Sequence, residues 1–286
     1  MLVRHPYVAD RFYPADPTTC RADIERYTTV EINDTNLPPQ PLGGIVPHAG
    51  WTFSGPTIGA VFSYLRQKCT PDTVILAGTV HVAGVNYPTT SSVGLWETPI
   101  RPIEIDSELA EAVVSSGQVW NNPAAHECEH SLEVIAPFVA YAFPEAKLLP
   151  LMVPTTTTGV DAGTALADAV RRLRPNVVLL ASTDLTHYGP SYHYTPWGVG
   201  QTALDWVKHQ NDAIMINAMT RLAAEDLLAI AHDRRNACGP AAAAAVLAAA
   251  RSLGSTRGHV VHYTTSHDIL PRGEPTDFVG YVGMVF

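Results

Sequence analysis

Gly43-Gly44-Ile45-Val46-Pro47-His48-Ala49-Gly50-Trp51-Thr52-Phe53-Ser54-Gly55-Pro56 is an apolar run that ends on a histidine and turns into a helix. Ile45 and Val46 read as a buried strand, Pro47 has no N–H with which to continue a central ladder, and Ala49-Gly50 leave room beside the imidazole. His48 therefore stands at a strand's carboxyl end. In open α/β sheets that edge faces a crevice, which is where ligands bind. Thr73-Val74-Ile75-Leu76-Ala77-Gly78 leads in the same way to His81, and Asn176-Val177-Val178-Leu179-Leu180-Ala181-Ser182 leads within a few residues to His187. Three apolar strands that each send one imidazole to a common edge form the pattern of a metal or acid/base site.

Working outward, strand and helix signals alternate almost throughout. Asp16 as N-cap with Pro17 in the first turn predicts a helix to about Thr29. Asn33 to Leu42 reads as a Pro-rich linker, and Ser54-Gly55-Pro56 as the start of a helix with Ile58, Val61, Phe62 and Leu65 on one face. Asp106 caps a helix through Ser115, Asp161 to Leu173 is another, and Pro240 opens an alanine-dominated one. The alternation predicts a layered α/β/α fold with a mixed, mostly parallel central sheet, organised as one domain over residues 1–286. The run Ala241 to Ala245 indicates close helix packing, and Ala-rich helices also offer flat surfaces for a homo-oligomer.

Composition narrows the function. With 286 residues, 46% of them hydrophobic, the chain has enough apolar surface for a sizeable core. A net charge of −9, with the 18 Lys and Arg scattered, argues against a nucleic-acid or anionic-membrane partner. No signal-peptide core and no apolar run of roughly 18 residues is found, so a cytoplasmic protein is expected. Cys20, Cys69, Cys128 and Cys238 include no Cys-x-x-Cys pair and read as reduced thiols.

Cys238 precedes Gly239-Pro240, a helix start, where the partial positive charge lowers a thiol pKa and favours the ligating thiolate; the alternative is a small buried hydrophobe. His48 and His81 each end a strand beside small residues and are the better ligand candidates. Asp184 lies three residues before His187, either orienting it for general acid/base work or capping a turn. Glu129 and His130 are partners that orient a ligand, or residues that open a helix. His259 and His262 point to opposite faces of a strand unless a bulge intervenes. Gly-x-Gly-x-x-Gly, a phosphate loop and a Gly-x-Ser-x-Gly elbow are all missing, which disfavours nucleotide cofactors and serine hydrolysis.

Arg4-His5-Pro6 with Phe12-Tyr13-Pro14-Ala15-Asp16, Pro47-His48-Ala49-Gly50 with Ser54-Gly55, Glu129-His130-Ser131-Leu132-Glu133, Ser182-Thr183-Asp184 with His187-Tyr188-Gly189, Cys238-Gly239, Tyr263-Thr264-Thr265-Ser266 and Val279-Gly280-Tyr281 occur in an order that resembles the Memo family. That resemblance implies the fold of class III extradiol dioxygenases, which open catechol-type rings with non-haem Fe(II) and O₂. It implies His48, His81 and Cys238 as metal ligands and His187 in the acid/base position; Asp184, as the residue that orients His187, and His130, as a partner, complete the catalytic candidates read from the residues. The substrate would be a small aromatic or phenolic compound. Ring-cleaving relatives carry a carboxylate where Cys238 falls; a thiolate makes the ion softer, so copper is an alternative occupant and zinc a third. The rival reading is a non-catalytic metal-binding or partner-binding protein on the same scaffold. Three positions depart from the family pattern: Asp10 replaces a usual glycine, Val82 replaces a common histidine after His81, and His267 replaces a small or polar residue.

Overall fold

The apolar runs form the parallel heart of a nine-stranded sheet. Gly43–Val46, Val177–Ser182, Thr73–Gly78 and Lys147–Met152 lie side by side in that order, all parallel. Phe278–Val285 adds antiparallel to Gly43–Val46 and is itself flanked by His259–Thr265 and His187–Tyr188. At the opposite edge Thr89–Thr90 runs antiparallel to Lys147–Met152, and Trp120–Asn121 pairs with it. The sheet is thus mixed and mostly parallel at its centre. Val3–Arg4, Leu95–Trp96 and Ile103–Glu104 make a separate three-stranded sheet. This computed structural model describes residues 2–30, 32, 36–155, 159–173 and 176–286; residues 33–35 of the expected linker lie outside them.

Both faces of the central strands are buried, which explains their continuous apolar runs. Alternate residues serve opposite layers. Ile75, Ala77, Leu149 and Leu179 pack against Ser107–Val114, Gly159–Leu173 and Pro240–Ser252, whereas Val74, Leu76, Leu148 and Val178 pack against Pro17–Tyr27, Trp51–Lys68 and Ala136–Ala142. Asp16 and Asp106 are the N-caps expected of them, accepting from Thr19 N–H and Leu109 N–H. The helix after His48 begins at Trp51, not at Ser54, and carries Pro56 inside it. Pro56 is the sixth helical residue, past the four N–H groups that lack an intrahelical partner, so it leaves the Thr52 carbonyl without its i→i−4 donor and marks an interior position, not the start.

Every residue from Ala241 to Ala250 is buried, so this run offers no flat outer face for self-association. Its small side chains let Gly159–Leu173 approach so closely that a Cβ on Gly163 would lie 2.1 Å from the Ala245 carbonyl oxygen.

A buried polar knot ties the loop before His187 to the segment before Cys238. Asp212 follows a π-helical turn, Val207–Asn211, and accepts from Thr186 Oγ1 at 2.5 Å, from Thr186 N–H at 3.1 Å and from the Tyr263 hydroxyl at 2.8 Å. Asn211 Nδ2 donates to Thr186 Oγ1, and Asn236 Nδ2 donates to the Asn211 carbonyl. Burial pushes the Asp212 carboxyl up to about 7, outweighing the Thr186 and Tyr263 bonds that favour its charge.

Two outcomes test this packing. Gly163→Ala should gain roughly 1 kcal/mol of helix propensity, yet the clash with backbone is expected to destabilise the protein by roughly 1–3 kcal/mol; a raised melting temperature would contradict the close approach. Asp212 binds its proton more tightly folded than unfolded, so the stability it confers is complete below its unfolded value of 3.8 and is lost as pH rises through about 7. Urea denaturation of Asp212→Asn across that window is expected to lack this decline; an unaltered slope would refute the upward shift.

Candidate metal centre

The carboxyl ends of the parallel strands bring three donors together. His48 follows Val46, His81 follows Gly78, and Cys238 sits just ahead of Pro240–Ser252, whose N-cap is Gly239. One ligand atom from each lies within 4.8 Å of the others, and His48 Nε2 is 3.3 Å from Cys238 Sγ. Bonds of about 2.0–2.3 Å to a single ion separate neighbouring donors by roughly 3–4 Å. The spacing fits a metal.

The ring tautomers follow from hydrogen counting. Ser182 Oγ donates its one hydrogen to the Ser131 carbonyl at 2.7 Å, so in its 2.8 Å contact with His48 Nδ1 it accepts. His48 therefore carries its proton on Nδ1, leaving the Nε2 lone pair toward Cys238. His81 Nδ1 donates to Glu129 Oε1 at 2.8 Å and its backbone N–H to Oε2 at 2.6 Å, which leaves its Nε2 free as well. Burial, reinforced by His81 and His130, holds the His48 pKa well below the ordinary imidazole value, so the ring stays neutral and able to ligate. Burial works the other way on Glu129, but the bonds from His81 and Ser131 prevail and lower its pKa to about 2.

The thiol departs from expectation. Burial, with Asp184 beside it, pushes the Cys238 pKa up, although the Asp184 N–H donates to Sγ at 3.3 Å. Desolvation at the half-buried Cys238 overrules the helix N-terminus, and a bound cation would supply the compensating charge.

His187 lines the same cavity, but Asp184 does not orient it through a hydrogen bond. His187 Nδ1 pairs with the Leu185 carbonyl at 3.1 Å, while Asp184 Oδ1 accepts the His48 backbone N–H at 2.8 Å. Asp184 thus secures the ligand loop, and burial raises its pKa. His130 stacks on His81 with ring centroids 4.3 Å apart and meets His48 edge-on at 5.6 Å. It also completes a second donor cluster, His81, Glu129 and His130. A bulge does occur between Val260 and His262, but His262 Nδ1 pairs with Thr57 and neither His259 nor His262 joins a donor cluster among the described residues.

Above the donors opens a cavity of about 540 Å³, in the range that accepts small molecules. Phe12, Phe53, Tyr192 and Tyr281 supply its aromatic lining. Tyr13 and Trp51 do not line it; both are buried, Tyr13 donating to Glu133 and Trp51 Nε1 to the Val134 carbonyl. Sequence reasoning missed Phe53, Tyr192, Tyr281 and Asp277, and the proton-fixing role of Ser182. Phe53 stands in the opening motif five residues after His48 and was accessible to a helical-wheel argument; the others come from loops and from a distant strand. Of the departures, Asp10 has a left-handed backbone with φ 62°, which glycine adopts freely, and its carboxylate accepts the Ala15 N–H. Val82 is partly buried against the apolar cluster that includes Trp51, and His267 lines an adjoining cavity.

Comparison with known proteins finds relatives along the whole chain. A MEMO1 family protein of Methanopyrus kandleri is 34% identical over 293 residues, covering 99% of this chain and 98% of that protein. One from Thermococcus kodakarensis is 32% identical over 300 residues, covering 100% and 99%. An uncharacterized protein of Escherichia coli K12 superposes with a TM-score of 0.45 at 12% identity, covering 84% of this chain and 98% of that one. The Memo-like protein family profile matches residues 4–285, and the chain belongs to the Memo family.

Proposed function

We propose that the protein is a metal-dependent oxidoreductase that uses Fe(II) and O₂ on a small aromatic or phenolic compound. The observation that carries the reading is a set of three donors within 4.8 Å of one another, the imidazoles of His48 and His81, which line an aromatic-bearing cavity, and the Cys238 sulfur 3.3 Å from His48 Nε2. His48, His81 and Cys238 would hold the ion. A bound Fe(II) or copper supplies redox capacity and Lewis acidity for a phenolic oxygen and for O₂.

The chain's own residues supply the rest. Phe12 and Phe53 offer apolar surface to a flat ring and displace water from it. His187, its Nδ1–H engaged by the Leu185 carbonyl, presents Nε2 as the base that takes a proton from the substrate hydroxyl. His130, packed between Phe12 and His81, offers a ring nitrogen to the substrate or to oxygen. Asp184 holds the His48 loop in place, a positioning role. A non-catalytic metal-binding protein would use the same three donors, a set whose soft sulfur also suits copper storage, and would leave His187 idle.

After anaerobic reconstitution, His48→Ala is expected to retain no stoichiometric iron or copper by elemental analysis, and Glu129→Gln to weaken metal affinity by about 10–100-fold. Full metal content in His48→Ala would remove the site. His187→Gln is expected to keep the metal and to slow oxygen uptake with catechols by roughly 10²–10⁴-fold. Uptake equal to the parent protein would favour the non-catalytic reading.

A further inference from the structure

The cavity over the three donors has a one-sided charge inventory. Its ionisable lining consists of four imidazoles, two phenols and the carboxylates of Asp184 and Asp277; among the described residues no Lys or Arg lines it. Asp184 is engaged at the floor by the His48 backbone N–H. Asp277 is exposed at the rim, and no ion pair joins it to a described Lys or Arg.

The rim carboxylate is held in place. Its Oδ1 accepts the Ser191 N–H at 2.8 Å. That bond depends on the loop passing very close: a Cβ on Gly189, whose φ is 126°, would lie 2.4 Å from the same oxygen. The neighbouring Phe278 and Val279 pair with Tyr188 and His187, so the register brings Asp277 to Gly189, and Asp277 and the proposed base line the same cavity. Asp277 also stands where the cavity meets a second one of about 270 Å³, which shares Phe53 and Ser266 with it. That smaller space is lined by one guanidinium, Arg272, and by a second carboxylate, Glu274, besides Asp277.

We infer that the ligand carries a positively charged amine on the side remote from the metal-facing hydroxyl, and that Asp277 is the residue that selects it. The inference rests on the proposed reading insofar as it places a phenolic hydroxyl at the donors. A carboxylate or phosphate in the same place would meet Asp277 with no cation on the cavity wall to offset the repulsion, whereas an ammonium meets a fixed acceptor. The chain's net charge of −9 draws cations toward the mouth in addition.

The test uses the Fe(II)-loaded protein under anaerobic conditions and three probes with one ring: an aminoethyl, an ethyl and a carboxymethyl catechol. Calorimetry is expected to rank them in that order, with the aminoethyl compound bound roughly tenfold more tightly than the carboxymethyl one. Asp277→Asn, at equal metal content, is expected to remove most of that ratio. Equal affinities in the parent protein, a ratio that survives in Asp277→Asn, or no binding of any probe would overturn the inference. Oxygen uptake with the same compounds judges the redox reading separately. Cation preference without uptake leaves the inference standing and sinks the oxidase; uptake without charge preference does the reverse.

Discussion

Ser182 has a single hydroxyl hydrogen, and the Ser131 carbonyl takes it. The oxygen is then left to accept from His48 Nδ1, and the lone pair of Nε2 has to face Cys238. Glu129 imposes the same polarity on His81 from the other side of the site. Each such bond is worth only about 1 kcal/mol net, but leaving a buried partner unpaired costs roughly 1–3 kcal/mol, so the arrangement resists ring flips. Ser182 ends a central strand and Ser131 belongs to the short helix His130–Glu133. The proton on one imidazole is therefore fixed by the packing of a helical layer on the sheet.

That layer is anchored in turn by the amino-terminal arm. Arg4 Nη2 lies 2.6 Å from Glu133 Oε2 and donates to the Glu129 carbonyl, while Glu133 Oε1 accepts from the Tyr7 and Val8 N–H groups and the Tyr13 hydroxyl. A buried pair with this many satisfied partners specifies one arrangement, and breaking it by removing one member costs about 3–5 kcal/mol. The arm carries Phe12 onto His130, with ring centroids 5.1 Å apart, and so forms a wall of the cavity. The left-handed turn at Asp10 makes that placement possible, since the Asp10 N–H reaches back from it to the Tyr13 carbonyl.

Much of this was legible from residue order. Ile45-Val46 before His48, and Val74 to Gly78 before His81, declared buried strands because parallel strands covered on both faces need uninterrupted apolar runs. Asp16 and Asp106 declared helix starts through a local, sequence-near bond. What could not be read was every relation between distant segments: that Asp184 serves His48 and not His187, that Ser182 sets a tautomer, that Tyr281 and Asp277 reach the same cavity. The Cys238 thiol failed for a related reason. A helix terminus is visible in sequence, but the burial that overrides it is a property of the assembled layers. Likewise an alanine run states that a surface is flat without stating whether another helix covers it.

X-ray absorption on the iron- or copper-loaded protein tests the central claim most directly, because it counts sulfur scatterers at the ion. Convergence of His48, His81 and Cys238 predicts a shell with two imidazole nitrogens near about 2.0–2.1 Å and one sulfur near about 2.3 Å, with the sulfur lost in Cys238→Ser. A shell of nitrogen and oxygen alone in the parent protein would place the metal elsewhere and contradict the account.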